Sequence, residues 1–275
     1  MLKDQVIIEM VNNTRLNMPK IGGRKLYNIL SCHLHGGLQM GRDAFFELLR
    51  SNNLLIRRKR RSVRTTYSNH WLRKYPNLIR SFTPTGSNQL WVSDITFIKT
   101  EVGFVFLSLV TDAYSRKIIG WSIGNTLEAK HSIAALLMAI KHAPKDLSGL
   151  IHHSDRGVQY CSDGYVRVLN KKGISISMTE SGDPLENAIA ERVNGILKTE
   201  WLYLNSYSGL EDAKRAVKSA IWTYNNLRPH LSLGMETPEN VHLSGKPVAR
   251  MWKNYYRNMS FEKVDNRIIF DSPTK

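Results

Sequence analysis

The stretch from Leu90 to Ile123 reads LWVSDITFIKTEVGFVFLSLVTDAYSRKIIGWSI, and its pattern decides the fold. Leu90–Lys99, Phe104–Val110 and Lys117–Ile123 are rich in β-branched and aromatic residues, the composition of strands. The intervening Glu101-Val102-Gly103 and Ala113–Arg116 are short enough for antiparallel hairpins. Downstream the pattern changes to helices alternating with strands. A helix is expected at about 128–142, with Ile133, Leu136, Leu137 and Ile140 on one face. A strand follows at Leu150–His153, a helix near 163–172, and a strand at Ile174–Met178. Three hairpin strands followed by alternating elements make a mixed α/β sheet flanked by helices. Asp183-Pro184-Leu185-Glu186 carries the signals of a capped helix start, and Ser208-Gly209-Leu210-Glu211 repeats the form before a helix at 210–227.

Upstream of the strands the chain is helical and basic. Residues 1–55 show helical spacing at Leu2, Val6, Ile7 and Met10, at Leu26, Ile29 and Leu30, and at Phe45, Leu48 and Leu49. Gly22-Gly23 and Gly36-Gly37 punctuate them. Such short helices suit a helix-turn-helix module or a plain small bundle. Charge favours the first. Residues 1–86 hold 16 Lys and Arg against 4 Asp and Glu, whereas the remainder holds 23 against 19. The net charge of +16 points to an anionic polymer as partner. Arg57, Arg58, Lys59, Arg60 and Arg61 head a run without acids, interleaved further on with Tyr67, His70, Trp71 and Tyr75, as expected of a segment that tracks a nucleic-acid backbone. The divisions expected are a helix-turn-helix-like domain at 1–55, a basic linker at 56–86, a catalytic core at 87–242 and a tail at 243–275.

Two cysteines, Cys32 and Cys161, do not form a CxxC pair, so neither a disulfide framework nor a zinc knuckle is expected. Cys32, His33 and His35 lie close together but lack ligand spacing. No signal peptide or membrane-spanning run is evident, and a cytoplasmic location is expected.

Three acids stand out. Asp94 interrupts an apolar strand, where an unpartnered charge is costly. Asp155 ends the strand at 150–153, and the C-terminal ends of strands are where α/β sheets bind ligands. Glu191 lies on the capped helix, on one stripe with Asn187, Asn194 and Lys198, opposite Leu185, Ile189, Val193 and Ile196. Hard oxygen ligands from separate elements suit Mg²⁺ or Mn²⁺, and two such ions could drive an in-line phosphoryl transfer.

Asp155 and Glu191 are separated by 35 residues. The motifs WVSDIT, LVTDAYSRKIIGW, HHSDRGVQY, NAIAERVNGILKTE and YNNLRPHLSLGMETP occur in order between residues 91 and 238. Together they resemble the retroviral-integrase-like core of the second-frame (OrfB) transposases of the insertion sequence three family. The resemblance implies a ribonuclease H-like fold and a DDE triad of Asp94, Asp155 and Glu191 that binds two Mg²⁺ or Mn²⁺ ions. It also implies strand cleavage and strand transfer at insertion-sequence ends, with Lys198 and Asn187 on the DNA side. The implied partners are DNA, a first-frame (OrfA) protein and further copies of the chain. The family's Gly-Asn-Cys-Tyr-Asp-Asn run is replaced here by Gly182-Asp183-Pro184-Leu185-Glu186-Asn187, so its loop contacts do not carry over. Asp112, in Thr111-Asp112-Ala113, is a structural acid in similar proteins. Asn225, Arg228, Pro229 and His230 are expected to be structural or DNA-facing, not catalytic. A DNA-binding regulator without catalysis fits the intact triad poorly. A simple nuclease leaves the YNNLRPHLSLGMETP motif without a use.

Overall fold

The computed structural model describes residues 2–34, 36–56, 71–180 and 184–245, excluding the side chains of Pro184 and Leu185. Arg57–Arg61 and the tail beyond 245 lie outside the described residues, as do Asp183 and His35.

Five strands form one sheet in the order β3-β2-β1-β4-β5. They are β1 (Leu90–Thr100), β2 (Gly103–Asp112), β3 (Ile118–Gly124), β4 (Ile151–Ser154) and β5 (Ser175–Met178). β1, β2 and β3 form an antiparallel meander, and β4 and β5 add in parallel to β1. On one face lie α4 (Ala129–His142), the single turn α5 (Val158–Cys161) and α6 (Asp163–Lys171). They enclose Trp91, Val110, Leu136, Leu150, Tyr165 and Leu169. On the other face α7 (Ala188–Glu200) and α8 (Leu210–Asn226) cover Ile98, Val105, Leu107 and Leu109. Each such fully buried aliphatic side chain contributes roughly 1.5–3 kcal/mol. A short helix, α9 (Pro238–Ser244), packs on α8. The mixed sheet between helical layers is the ribonuclease H-like architecture expected.

The N-terminal helices α1 (Leu2–Asn17), α2 (Gly23–Leu30) and α3 (Arg42–Ser51) have a separate core of Ile7, Val11, Leu26, Leu30, Phe45 and Leu49. Trp201 joins this unit to the sheet, packing on its core and donating from its indole nitrogen to the Asn17 carbonyl at 2.8 Å. Among the described residues no helix is long and apolar enough to cross a membrane.

Several sequence expectations need correction. α1 turns Ile7 and Val11 inward, while Leu2 is 80% exposed, because only the stripe spaced by four meets α2 and α3. The inner face of α4 is Ser132, Ala135, Leu136 and Ala139, and Leu137 points outward. Small residues are needed there because the helix backbone lies against β3. A Cβ on Gly120 would meet the Ala135 carbonyl oxygen at 2.1 Å. Pro184–Asn187 is a 3-10 turn and α7 begins only at Ala188, one turn later than the capping pattern suggests. At α8 it is Asp212, not Glu211, that accepts from the Ser208 amide, at 3.1 Å.

The linker expected at 56–86 is not all linker. From Leu72 to Phe82 the chain packs on the sheet domain: Leu72 and Tyr75 join one core, Ile79 and Phe82 another. The Pro76 carbonyl accepts from Met178, and the Leu78 amide donates to Ser177 Oγ at 2.9 Å. Arg80 pairs with Glu180. These partners lie about a hundred residues away, beyond the range of local patterning.

Candidate active site

β1 and β4 run parallel, and Val92 opposite His153 is their last register pair. Two residues further on, both strands deliver an acid, Asp94 and Asp155. Side chains two apart return to the same sheet face, and neighbouring strands lie about 4.8 Å apart. The chain therefore sets the two carboxylates side by side where β4 ends against the middle of β1. The Gly157 amide donates to Asp155 Oδ1 at 3.0 Å, fixing the turn that follows β4.

Asp94 receives the Asn194 side-chain amide on Oδ2 at 2.7 Å and the Ile95 backbone amide on Oδ1 at 2.9 Å. Burial raises its pKa to about 7; Asp155 and, more weakly, Glu191 push the same way, against these two hydrogen bonds. Glu191 stands exposed in the first turn of α7, where the helix dipole favours a carboxylate. Its influence on Asp94 places all three acids in one electrostatic field.

The stripe Asn187, Glu191, Asn194, Lys198 is turned toward β1. Asn187, 6% exposed, donates to the Ser93 carbonyl at 3.1 Å, so it ties the start of α7 to β1. That buried position differs from the DNA-facing one expected of it. Lys198 Nζ lies 4.4 Å from the centre of the Phe97 ring and 5.8 Å from that of Tyr203. Burial lowers its pKa, and the Asp94 charge counteracts this.

Beneath the acids lies a polar floor, in which sequence reasoning missed His152, Tyr160 and Tyr165. His152 Nε2 lies within hydrogen-bond distance of both Ser93 Oγ, at 2.8 Å, and Tyr165 Oη, at 2.9 Å. Burial, with His153 adding to it, depresses its pKa to about 3, so the ring is neutral. His153 is likewise lowered to about 4 by burial and pairs with Ser177 Oγ through Nδ1 at 2.8 Å. It packs beside the strand. The Tyr160 hydroxyl is buried with no hydrogen-bond partner among the described residues, and Asp94 and Asp155 both influence it. The HHSDRGVQY motif contains three of these residues, but not the direction in which each points. Asn194 could have been found from its stripe.

Asp112 is different in kind. Its carboxylate accepts from the Asn88 amide, the Ser115 amide and Ser115 Oγ, each at 2.7 Å. Asn225 brackets Ile118, accepting from its amide at 3.0 Å and donating to its carbonyl at 2.9 Å. Arg228 is buried in a two-pronged pair with Glu200 at 2.6 and 2.7 Å. The YNNLRPH motif thus locks α8 to the sheet and to the end of α7.

Among the described residues no three His, Cys, Asp or Glu side chains are gathered closely enough to hold a metal ion. Ligation by the whole triad needs a closer approach than this arrangement has. The donor chemistry nonetheless fits a hard divalent cation: two adjacent carboxylates on fixed strands, and a third facing them from a helix.

Two family models described as integrase core domain match residues 84–184 and 172–238. The transposase InsF of insertion sequence IS3A from Escherichia coli is 32% identical, covering 70% of this chain and 67% of its own. An uncharacterized 31 kDa protein of insertion element IS600 from Shigella sonnei is 34% identical over 79% of each chain. The chain belongs to the insertion sequence three family of transposases, as a second-frame protein. It is a DNA transposase with an integrase-like core, and hence a polynucleotidyl transferase. The IS629 transposase of Shigella sonnei is 30% identical over 79% of this chain and 72% of its own. The fold of this transposase is also that of a chain in the simian T-cell lymphotropic virus intasome solved with PP2A regulatory subunit B56 gamma. That match has a TM-score of 0.52 at 23% identity, covering 83% of this chain and 78% of the other.

Proposed function

We propose that this transposase cuts and joins DNA at insertion-sequence ends through Asp94, Asp155 and Glu191, which hold two divalent ions, Mg²⁺ or Mn²⁺. The observation that carries the reading is that β1 and β4 each bring an acid two residues past their last register pair. Bound there, divalent ions supply activation of the attacking oxygen and charge relief at the leaving oxygen. Asn194 and the Gly157 amide hold Asp94 and Asp155 in place, and Asn187 keeps α7, with Glu191, against β1. Lys198 faces the phosphate backbone from the same helix. In the first step water replaces one ester oxygen at phosphorus and a 3′ hydroxyl leaves. In the second that hydroxyl attacks another phosphodiester. Each step exchanges one P–O bond for another, so no enzyme-linked intermediate is needed.

The division of labour follows the chain. Residues 1–55 and the basic run Arg57–Arg61 grip DNA, 87–242 does the chemistry, and 243–275 is a tail. Joining paired ends to a target calls for several copies on the DNA, and a first-frame (OrfA) partner completes end recognition, all in the cytoplasm. The test is to incubate the protein, with and without its first-frame partner, with element-end DNA and Mg²⁺. Wild type should nick and join, whereas Asp155→Asn and Glu191→Gln should do neither. Equal activity in the variants would overturn the triad.

A further inference from the structure

Between the carboxylates and the tip of the first hairpin lies a cluster of exposed aromatic rings that the catalytic reading does not use. β4 pairs with β1 only as far as Val92, yet β1 continues to Thr100. Past Asp94 the strand reaches Phe97, three residues and about 10 Å further along. Phe97 packs edge-on to Phe104, with ring centres 5.4 Å apart, and Phe104 is 52% exposed. Tyr203, 50% exposed, approaches from the turn after α7. Lys198 Nζ connects the two sides, lying over both the Phe97 and the Tyr203 ring while within the field of Asp94. The cluster is held rigidly: the Glu101 amide at the hairpin tip donates to the Tyr207 carbonyl at 2.9 Å, and Tyr207 Oη donates to the Leu202 carbonyl at 3.0 Å.

Large exposed apolar rings on fixed backbone, with a cation between them, have the chemistry of a base-stacking platform. Every base presents a π-face, and the ammonium can meet the phosphate attached to it. Phe104, opposite Lys99, lies further from Asp94 than Phe97 does, so the rings would meet nucleotides beyond the one at the carboxylates. We propose that Phe104 and Tyr203, backed by Phe97 and Lys198, bind unpaired nucleotides flanking the phosphate at the carboxylates. The transposase would thereby favour a frayed DNA end over a closed duplex. This rests on the strand-cutting role of Asp94 and Asp155.

The test uses the full chain in EDTA, so that binding is read without cleavage. The probes are a blunt duplex and the same duplex ending in a short single-stranded tail that carries a fluorescent adenine analogue quenched by stacking. Wild type should quench the analogue and bind the tailed duplex more tightly than the blunt one. Phe104→Ala and Tyr203→Ala, both at exposed positions, should lose most of the quenching. Each should weaken tailed-duplex binding roughly tenfold, as expected for one lost base–aromatic stack, with the loss confined to the tailed probe. Variants that quench like wild type, or that lose both probes equally, would overturn the platform. Wild type binding both probes alike would overturn it while leaving the carboxylate reading intact. Wild type binding neither would overturn the platform, and the Mg²⁺ cleavage assay above decides the carboxylates separately.

Discussion

Asp94 and Asp112 lie on neighbouring strands, and Asp112 stands directly across from Trp91, three residues before Asp94. Both are aspartates surrounded by protein, yet the fold treats them in opposite ways. Burial pushes the Asp112 carboxyl upward, but the nearby His242 ring, 3.9 Å away, and hydrogen bonds from Ser115 and Asn88 outweigh it and bring it below its ordinary value. Burial also pushes Asp94 upward, but there Asp155 and Glu191 add to the push, and two hydrogen bonds do not overcome it. Asp112 is a completed anion that stitches Asn88 to the turn after β2. Asp94 is left incomplete, with acids for neighbours where Asp112 has donors. The lesson is that a buried charge the fold neutralises is structural, while one it leaves unneutralised is reserved for a ligand from outside.

The comparison can be broken most severely at the level of activity. Asp94→Asn should abolish strand transfer, by about a thousandfold or more, the scale of losing a preorganised electrostatic group. Asp112→Asn should retain activity per folded molecule, and a transfer assay normalised to active protein separates the two. A comparable loss in both would erase the distinction.

Stability should show the reverse order. Asp112→Ala leaves the Asn88 and Ser115 amides without their buried acceptor and should cost about 2–4 kcal/mol in urea denaturation. Asp94→Asn, measured without metal, should be neutral or stabilising.

pH gives a finer test with opposite signs. Asp94, at about 7, keeps a proton that the unfolded chain loses near 3.8. Its contribution is therefore full below about 3.8 and is lost as pH rises to about 7. Asp112 is lowered, so its contribution is present above 3.8 and is lost as pH falls through its folded value. His152 and His153, lowered to about 3 and about 4, also favour the folded state as pH rises toward 6.5. In EDTA, Asp94→Asn should steepen the rise of stability between pH 4 and 7 by up to about 1.4 kcal/mol per unit. An unchanged slope would mean that Asp94 ionises normally.

The smallest effect is at the hinge of the comparison. Asn194→Leu removes a donor to Asp94 and should push that carboxyl further up, by the worth of one hydrogen bond to a carboxylate, about 1–2 kcal/mol. An NMR titration of the Asp94 carboxyl would detect it.

Much of this was readable in the sequence because it is local. The strand runs were visible as β-branched and aromatic clusters, and Asp94 as a charge where an apolar residue belongs. What escaped was set by packing across distance. A polar stripe on a helix looks the same whether it faces water or another carboxylate, so the stripe marked Asn194 and Asn187 as a pair of interest without showing that both turn inward. Apolar periodicity selected Leu137 for the core of α4, but the close approach to Gly120 selects alanine and serine. The docking of Leu72–Phe82 depends on Ser177 and Glu180, which nothing near it in the chain announces.

Both outer margins of the sheet carry seals that matter for how copies meet. Along β5 the Pro76 carbonyl takes the Met178 amide, a bonding position that a further strand would use. At the start of β3 the Asn225 side chain does the same for both backbone groups of Ile118. A backbone group already satisfied in this way is not available for cross-chain β-pairing, the common route to aggregation. Copies crowded together on one DNA molecule find these two places closed to strand pairing.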